Sequence, residues 1–449
     1  MPPSAAPFLI GRHFGVFCGD QPALGPLEYL PGVYGSAVCL CAYPGLPPFR
    51  YYVPMGIQKL GRDRMKGLCF AGLMVSLLGV PVLIKAQAPA TPASMDMLLE
   101  EAHAPQKTDA PGKLRTYYIA ADEVQWNYMP GPPVYLLNGE HEINPAPQAK
   151  SNTYRKAVYR EYADGSFTTL KPRPAEWEHL GILGPLIRAE VGDTVKIVFK
   201  NKTKINVSMH PHGLLYDKLS EGAYYGVGEG LPPDATMKGN DVHHGETFTY
   251  TWTVPERAGP GPMDPSSILW MYHSHFNESR DMNSGLFGPI IVSRKGSTRP
   301  DGTPKDVDRE FVVAFANFDE MSSGYFMANI VGDQKYPTSV ISNPGFAKTL
   351  EYYTMNGFIK GTMPLLTMKK GERVRWYLLA NSNEDDVHAP HWHGQTVLSS
   401  SMRTDTLSLG PMMMMVADMV PDNPGTWLFH CHVGEHLDNG MYALFKVTE

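Results

Sequence analysis

Two stretches of this 449-residue chain repeat one another, and the repeat limits the fold more than any other feature. Residues 185–213 read PLIRAEVGDTVKIVFKNKTKINVSMHPHG, and residues 364–394 read PLLTMKKGERVRWYLLANSNEDDVHAPHWHG. Each opens on a Pro-Leu pair and turns at Gly192 or Gly371. Each then runs through an alternating strand (Val195, Ile197, Phe199; Val374, Trp376, Leu378) and ends in His-x-His-Gly. A second echo follows the first: WMYHSHFNESRDMNSGLFGPIIV from Trp270 answers WLFHCHVGEHLDNGMYALFKV from Trp427, each with a tryptophan three residues before a His-x-His. Glycine, proline and tyrosine are plentiful and long helical periodicity is scarce, so the chain reads as all-β, with two Greek-key β-sandwiches. The charged, Pro/Gly-containing stretch from Arg294 to Asp308 marks the boundary, giving domains over 109–297 and 308–449.

The first 90 residues read as a leader. Lys59, Arg62, Arg64 and Lys66 precede the apolar run 67–84, and Ala86-Gln87-Ala88 follows it, the pattern of a secretory signal peptide. The expectation is export, to periplasm or extracellular space, with no stable membrane insertion once the segment is cleaved; a retained anchor is the alternative. Cys18, Cys39, Cys41 and Cys69 all precede the cut, which leaves Cys431 with no disulfide partner. The net charge of -6 gives no reason to expect nucleic acid as a partner.

Cys431 stands between His430 and His432, with His436 five and Met441 ten residues beyond. On a strand, successive side chains take opposite faces, so the thiol points one way and the flanking imidazoles the other. One metal on each side of a single strand is the simplest reading. Of 16 histidines, ten fall in four short motifs: His210 and His212; His273 and His275; His388, His391 and His393; His430, His432 and His436. Cys431, His388, His436 and Met441 make a soft copper set, two imidazoles and a thiolate with a weak thioether. Eight histidines remain in four His-x-His pairs, more than zinc would use and enough for three coppers.

Taken together, the four motifs resemble those of the multicopper oxidases from about residue 180 to the end of the chain. The resemblance implies cupredoxin-like domains and four coppers per chain, one type 1, one type 2 and two type 3. It implies His388, Cys431, His436 and Met441 as type 1 ligands and His210 and His391 as type 2 ligands. His212, His273, His275, His393, His430 and His432 fall to the type 3 pair. Two domains with a type 1 site only in the second are similar to the small laccases, which implies a homotrimer whose three-copper clusters join the first domain of one subunit to the second of its neighbour. The first-domain positions matching the type 1 ligands are Val207, Ser274, Ser279 and Ser284.

In such a family one-electron oxidation of a small reductant, a phenol, aromatic amine, ferrous or cuprous ion, is coupled to four-electron reduction of dioxygen to water. Protons are needed as well, and Glu221, nine residues past His212, and Asp438, two past His436, are the candidate donors. The wording NEDDVHAPHWHG and NPGTWLFHCHVGEH is similar to ceruloplasmin and hephaestin. That branch implies ferrous iron held by carboxylates, here Glu384 and Asp386 with Asp385 between them. A ferroxidase or cuprous oxidase role is therefore the alternative to a laccase-like one. A copper nitrite reductase is the more distant alternative, since it would carry its cysteine in the first domain. A single-copper electron carrier would leave eight histidines unexplained.

Overall fold

The computed structural model describes residues 36–41, 49–54, 112–136, 149–223, 225, 238–381 and 386–449. The apolar leader run 67–84, Glu384 and Asp385 lie outside the described residues. Among the described residues no helix is long and apolar enough to cross a membrane. The chain forms two compact units, 1–90 and 91–449. The first contributes an antiparallel hairpin, β1 (Ser36–Cys41) with β2 (Phe49–Pro54).

The second unit holds two β-sandwiches. The first is built from β3 (Leu114–Asn127), β4 (Thr153–Tyr162), β5 (Ile187–Glu190), β6 (Thr194–Asn201), β7 (His210–Pro211), β8 (Leu215–Tyr216), β9 (Thr247–Thr253), β10 (Ser267–His273) and β11 (Phe287–Ser293). The second is built from β12 (Arg309–Asp319), β13 (Glu351–Met355), β14 (Leu366–Lys369), β15 (Val374–Asn381), β16 (Pro390–Trp392), β17 (Val397–Ser399), β18 (Met402–Thr404), β19 (Met414–Met419), β20 (Gly425–Cys431) and β21 (Tyr442–Thr448). One sheet of the first has order β5-β11-β10-β7, and the second repeats it as β14-β21-β20-β16. The partner sheets run β4-β3-β6-β9-β8 and β13-β12-β15-β19-β17-β18. Even the strand senses match, with β6 parallel to β3 and β15 parallel to β12. The sequence repeat is thus a repeat of topology, in a cupredoxin-like Greek-key form.

Burial separates the two copies. In β6 the pattern alternates, with Val195, Ile197 and Phe199 buried and the residues between them half-buried. In β15 every residue is buried. Its Val374, Trp376 and Leu378 face the core of the second sandwich, while Tyr377 and Leu379 join a second apolar cluster with Leu269 and Met271 of β10. The sheet containing β12 and β15 is therefore covered on both faces, one of them by the first sandwich. That is why its strands lose the polar alternation of a half-solvated sheet.

A buried ion pair pins this joint. Lys156 of β4 donates to Glu320, just past β12, at 2.5 Å, and both side chains are fully buried. Tyr128 also donates to Glu320 (2.6 Å), and the Lys156 ammonium reaches the Asn283 carbonyl (2.6 Å). Burial pushes the Lys156 pKa down and the Glu320 pKa up, each against the pull of its partner. Removing one partner strands the other charge in an apolar joint. Lys156→Met should cost about 3–5 kcal/mol in guanidinium denaturation, whereas Lys156→Met with Glu320→Leu should recover most of it. A double variant no more stable than the single one would show that the pair is not what the joint depends on.

Candidate metal centre

The geometry starts with register. In the first sandwich His210 of β7 lies opposite His273 of β10. In the second His391 of β16 lies opposite His430 of β20. Strand pleating then places the next histidine of each motif on the same face. His212 Nε2 lies 3.1 Å from His273 Nε2, and His393 Nε2 lies 3.1 Å from His430 Nε2. The His210 ring is 5.2 Å from His275, and the His391 ring is 5.2 Å from His432. Each sandwich thus presents a quartet of imidazoles, and among the described residues the contacts between these histidines run within a quartet.

The ring nitrogens turned away from each quartet are fixed by peptide oxygens. His210 Nδ1 donates to the Glu221 carbonyl (2.6 Å), His273 Nδ1 to Ser274 (3.0 Å) and His430 Nδ1 to Cys431 (2.8 Å). His391 Nδ1 meets the Asp405 carbonyl (3.0 Å) and the Thr406 hydroxyl (2.8 Å). These contacts set the tautomer and leave Nε2 with its lone pair free. Burial pushes His212 and His430 down to about 4, and lowers His273, His210 and His393 as well. Neutral imidazoles packed edge to edge are ready to bind metal. The glycine ending each motif is part of the design. Gly213 and Gly394 have positive φ (73° and 68°), and a Cβ on either would strike the ring of Trp270 or Trp427.

The third cluster lies on the other face of β20. His388, Cys431 and His436 are buried with their ligand atoms mutually within 4.8 Å. Cys431 Sγ is 3.5 Å from His436 Nδ1 and accepts from the Ala389 amide (3.3 Å). Met441 is fully buried, and its carbonyl accepts from the Cys431 amide (3.1 Å). Both ring nitrogens of His388 are buried without a hydrogen-bond partner. An imidazole so placed costs desolvation with no return unless a metal takes a nitrogen. Burial holds His388 at about 4 and pushes the Cys431 thiol up. Two neutral imidazoles, a thiol and a thioether in an apolar pocket fit copper in both charge and softness.

Register also shows what the first sandwich holds in that place. Ser274 takes the position of Cys431 and Val207 that of His388. Ser274 Oγ accepts from the Ser208 amide (3.0 Å), as Cys431 Sγ does from Ala389. The Ser274 amide donates to Leu286 (3.0 Å), so Leu286, and not Ser284, is the counterpart of Met441. The shift arises because helix Glu278–Ser284 is two residues longer than helix Gly434–Asp438. Asp281, rather than Ser279, meets the Ser274 hydroxyl (2.6 Å) and is itself paired with Arg280 (2.6 Å). The equivalent pocket is closed by its own hydrogen bonds.

The carboxylates fall in different places. The Glu221 side chain pairs with the Lys218 ammonium and accepts from Tyr225 (3.2 Å), while its carbonyl orients His210. Asp438 is exposed at the end of helix Gly434–Asp438. Asp386 Oδ1 lies 3.9 Å from His436 Nε2, and its other oxygen accepts from Asn317 (3.0 Å). Two further residues near His436, Tyr353 and Glu351, carried no motif in the sequence. Tyr353 packs on His436 (4.8 Å between rings) and donates to Glu351 (3.1 Å). Burial, reinforced by the charges of Asp319 and Glu435, raises the Glu351 pKa. The run Met412–Met415 is split: Met412 sits in a turn at φ 56°, and only Met414 and Met415 enter β19.

Comparison with known proteins agrees with this geometry. Residues 180–297 and 338–449 match two family models, each described as multicopper oxidase. The chain is 38% identical to mouse hephaestin over 354 residues, which is 74% of this chain and 28% of that protein. It is 39% identical to human ferroxidase HEPHL1 over 347 residues (74% and 29%) and 38% identical to human ceruloplasmin over 352 (75% and 33%). The chain thus spans about a third or less of the length of these relatives. The matched residues carry all three histidine clusters, and the chain belongs to the multicopper oxidases, a family of copper-dependent oxidoreductases.

Proposed function

We propose that this protein couples one-electron oxidation of a small reductant to the four-electron reduction of dioxygen to water. The observation that carries the reading is the buried His388–Cys431–His436 cluster sharing one strand with the histidine quartet of the second sandwich. Copper held there would supply one-electron redox chemistry at the thiolate site and multi-electron chemistry at the imidazole sites. In this reading His388, Cys431, His436 and Met441 hold a type 1 copper. His210 and His391 hold the type 2 copper, and His212, His273, His275, His393, His430 and His432 hold the type 3 pair. That makes four coppers per chain. Cys431 and its neighbours form the covalent link between the two kinds of site, because one backbone carries ligands to both faces.

A three-copper cage takes both quartets, and each is internally packed within its own sandwich. This supports a homotrimer in which a head-to-tail contact brings the first quartet of one subunit to the second quartet of the next. In this reading Glu221, paired with Lys218 and bonded through its carbonyl to His210, would deliver protons, and Asp438 would serve from the exposed side. Dioxygen and a small reductant are then the partners, and the leader reading places the protein outside the cytoplasm.

Ferrous iron is the reductant the site favours. Asp386 and Glu435 act on His436, and Glu351 stands behind Tyr353, which packs on the same ring; carboxylate oxygen is a hard donor that stabilises the ferric product over the ferrous substrate. Glu384 belongs to the same acidic stretch of sequence. One relative carries the name ferroxidase, in keeping with this assignment.

Cys431→Ser should abolish the intense blue absorption and all substrate oxidation; a variant that stays blue would refute the thiolate assignment. Asp386→Asn combined with Glu351→Gln should raise the KM for ferrous iron about tenfold, the factor for about 1.4 kcal/mol of lost attraction, and leave that for a dimethoxyphenol near its original value. Equal changes for both substrates would return the choice to a laccase-like oxidase. Glu221→Gln should keep the blue colour and slow re-oxidation by dioxygen in stopped flow; an unchanged rate would take Glu221 out of the proton path.

A further inference from the structure

A cavity of about 810 Å³ opens on the first sandwich, between strands β3 and β4 and the loop that precedes β5. Its size suits a small organic molecule. None of its lining residues is a candidate copper ligand or a sequence neighbour of one. The floor is apolar. Trp126, Val158, Leu180, Ile182 and Leu183 line it, and all belong to the apolar cluster between the two sandwiches. Tyr117 and the half-buried Trp177 line it as well.

Five basic side chains share this cavity: Arg115, Arg160, Lys171, Arg173 and Arg188. Four of them have a carboxylate. Arg115 meets Asp193 at 2.5 Å, Arg188 meets Glu310 at 2.7 Å and Lys171 meets Glu161 at 2.8 Å, while Arg160 reaches Asp122 only at 3.7 Å. Arg173 has none. Among the described residues its guanidinium donates only to the carbonyls of Gly181 (2.9 Å) and Leu183 (2.7 Å). A guanidinium carries five N–H donors, so three are left over. The side chain is also held in place. Pro172 and Pro174 flank Arg173 and keep its backbone extended, and the two carbonyls fix the head group. Desolvation lowers the Arg173 pKa, and the positive charge of Arg160 lowers it further. A fixed cation with spare donors, pressed by a second cation and open to a cavity, is a seat for an anion.

We propose that this cavity binds an organic anion, a carboxylate carried on a flat aromatic body, with Arg173 as its anchor. The carboxylate accepts from the free N–H groups of Arg173 in the two-oxygen geometry that a guanidinium favours. Arg160 adds positive charge at the same end of the cavity. The aromatic body covers the apolar floor around Trp126 and Leu183 and removes it from water. Both halves of the ligand are needed. A bare anion would pair with Arg173 and leave the floor wet, and a neutral ring would cover the floor and leave Arg173 unpaired. Because Arg115, Lys171 and Arg188 already have close carboxylates, a single negative charge matches the cavity better than a polyanion does. The site needs no copper and holds whichever reductant the metal centre oxidises.

The test titrates 2-naphthoate by calorimetry into full-length, copper-loaded protein, with 2-naphthamide as its uncharged match and inorganic phosphate as the bare anion. The expected result is one naphthoate per chain with a Kd below about 1 mM, naphthamide at least about tenfold weaker, and no displacement by an equal concentration of phosphate. Arg173→Met should weaken naphthoate about tenfold or more, and Arg160→Gln about threefold, with circular dichroism checking the fold of each variant. Arg160 is half-buried and its carboxylate is distant, so Arg160→Gln and the naphthamide comparison decide the matter even where Arg173→Met does not fold. Absence of saturable naphthoate binding below that concentration would overturn the site. Equal binding of naphthoate and naphthamide would overturn the role of charge, and with it the proposal. Folded Arg173→Met or Arg160→Gln protein that binds naphthoate as the parent does would place the ligand elsewhere. Displacement by phosphate would make the cavity a bare-anion site and overturn the ligand class.

Discussion

Everything at this centre depends on the pairing of β16 with β20, in which His391 faces His430. That single register fixes which side chains meet. A slip of one residue would turn every side chain to the opposite face, bringing Phe429 and Cys431 to the quartet and His430 into the apolar core. The register is held from both sides. Trp392 and Phe429 stack beneath the strands, and the glycine after His393 lets Trp427 pack against the turn. The imidazoles therefore inherit their positions from apolar packing, which keeps them in place before any metal arrives.

The first sandwich shows how little the backbone decides about the thiolate site. Its strands, register and amide contacts repeat those of the second, down to the amide that points at Ser274 as its equivalent points at Cys431. Beyond the longer helix, the difference around this pocket lies in the side chains. Where the second sandwich leaves His388 with two unsatisfied nitrogens, the first fills the space with Val207 and a Ser274–Asp281–Arg280 chain that satisfies itself. One pocket is complete without an ion and the other is not. The contrast supports the reading of the second pocket as a binding site rather than a packing defect.

Much of this was legible in the sequence because the relevant signals were local. His-x-His at strand period and the repeat around it need only the geometry of a pleated strand, while the spacing from Cys431 to His436 and Met441, which crosses helix Gly434–Asp438, was legible as a soft-metal ligand pattern. What the sequence hid came from sequence-distant contacts. Tyr353 reaches His436 from β13, more than eighty residues earlier in the chain, with Glu351 hydrogen-bonded behind it, and nothing in LEYYTMN announces them. The counterpart of Met441 was displaced from Ser284 to Leu286 because a helix two residues longer intervenes, and loop length is not visible in an ungapped match. The full burial of β15 followed from the packing of one sandwich on the other, a tertiary fact that overrode its alternating pattern.

The same burial bears on the chemistry. Tyr377 and Leu379 are covered by the first sandwich, while Trp376 on the opposite face points into the second sandwich's own core. The surroundings of Trp376 and Trp392 are therefore apolar and aromatic. A dry core protects a thiolate from water and sharpens electrostatics at the metal. The packing that encloses Cys431 and Met441 is thus also the packing that leaves the Trp376 and Trp392 indole N–H groups without an acceptor.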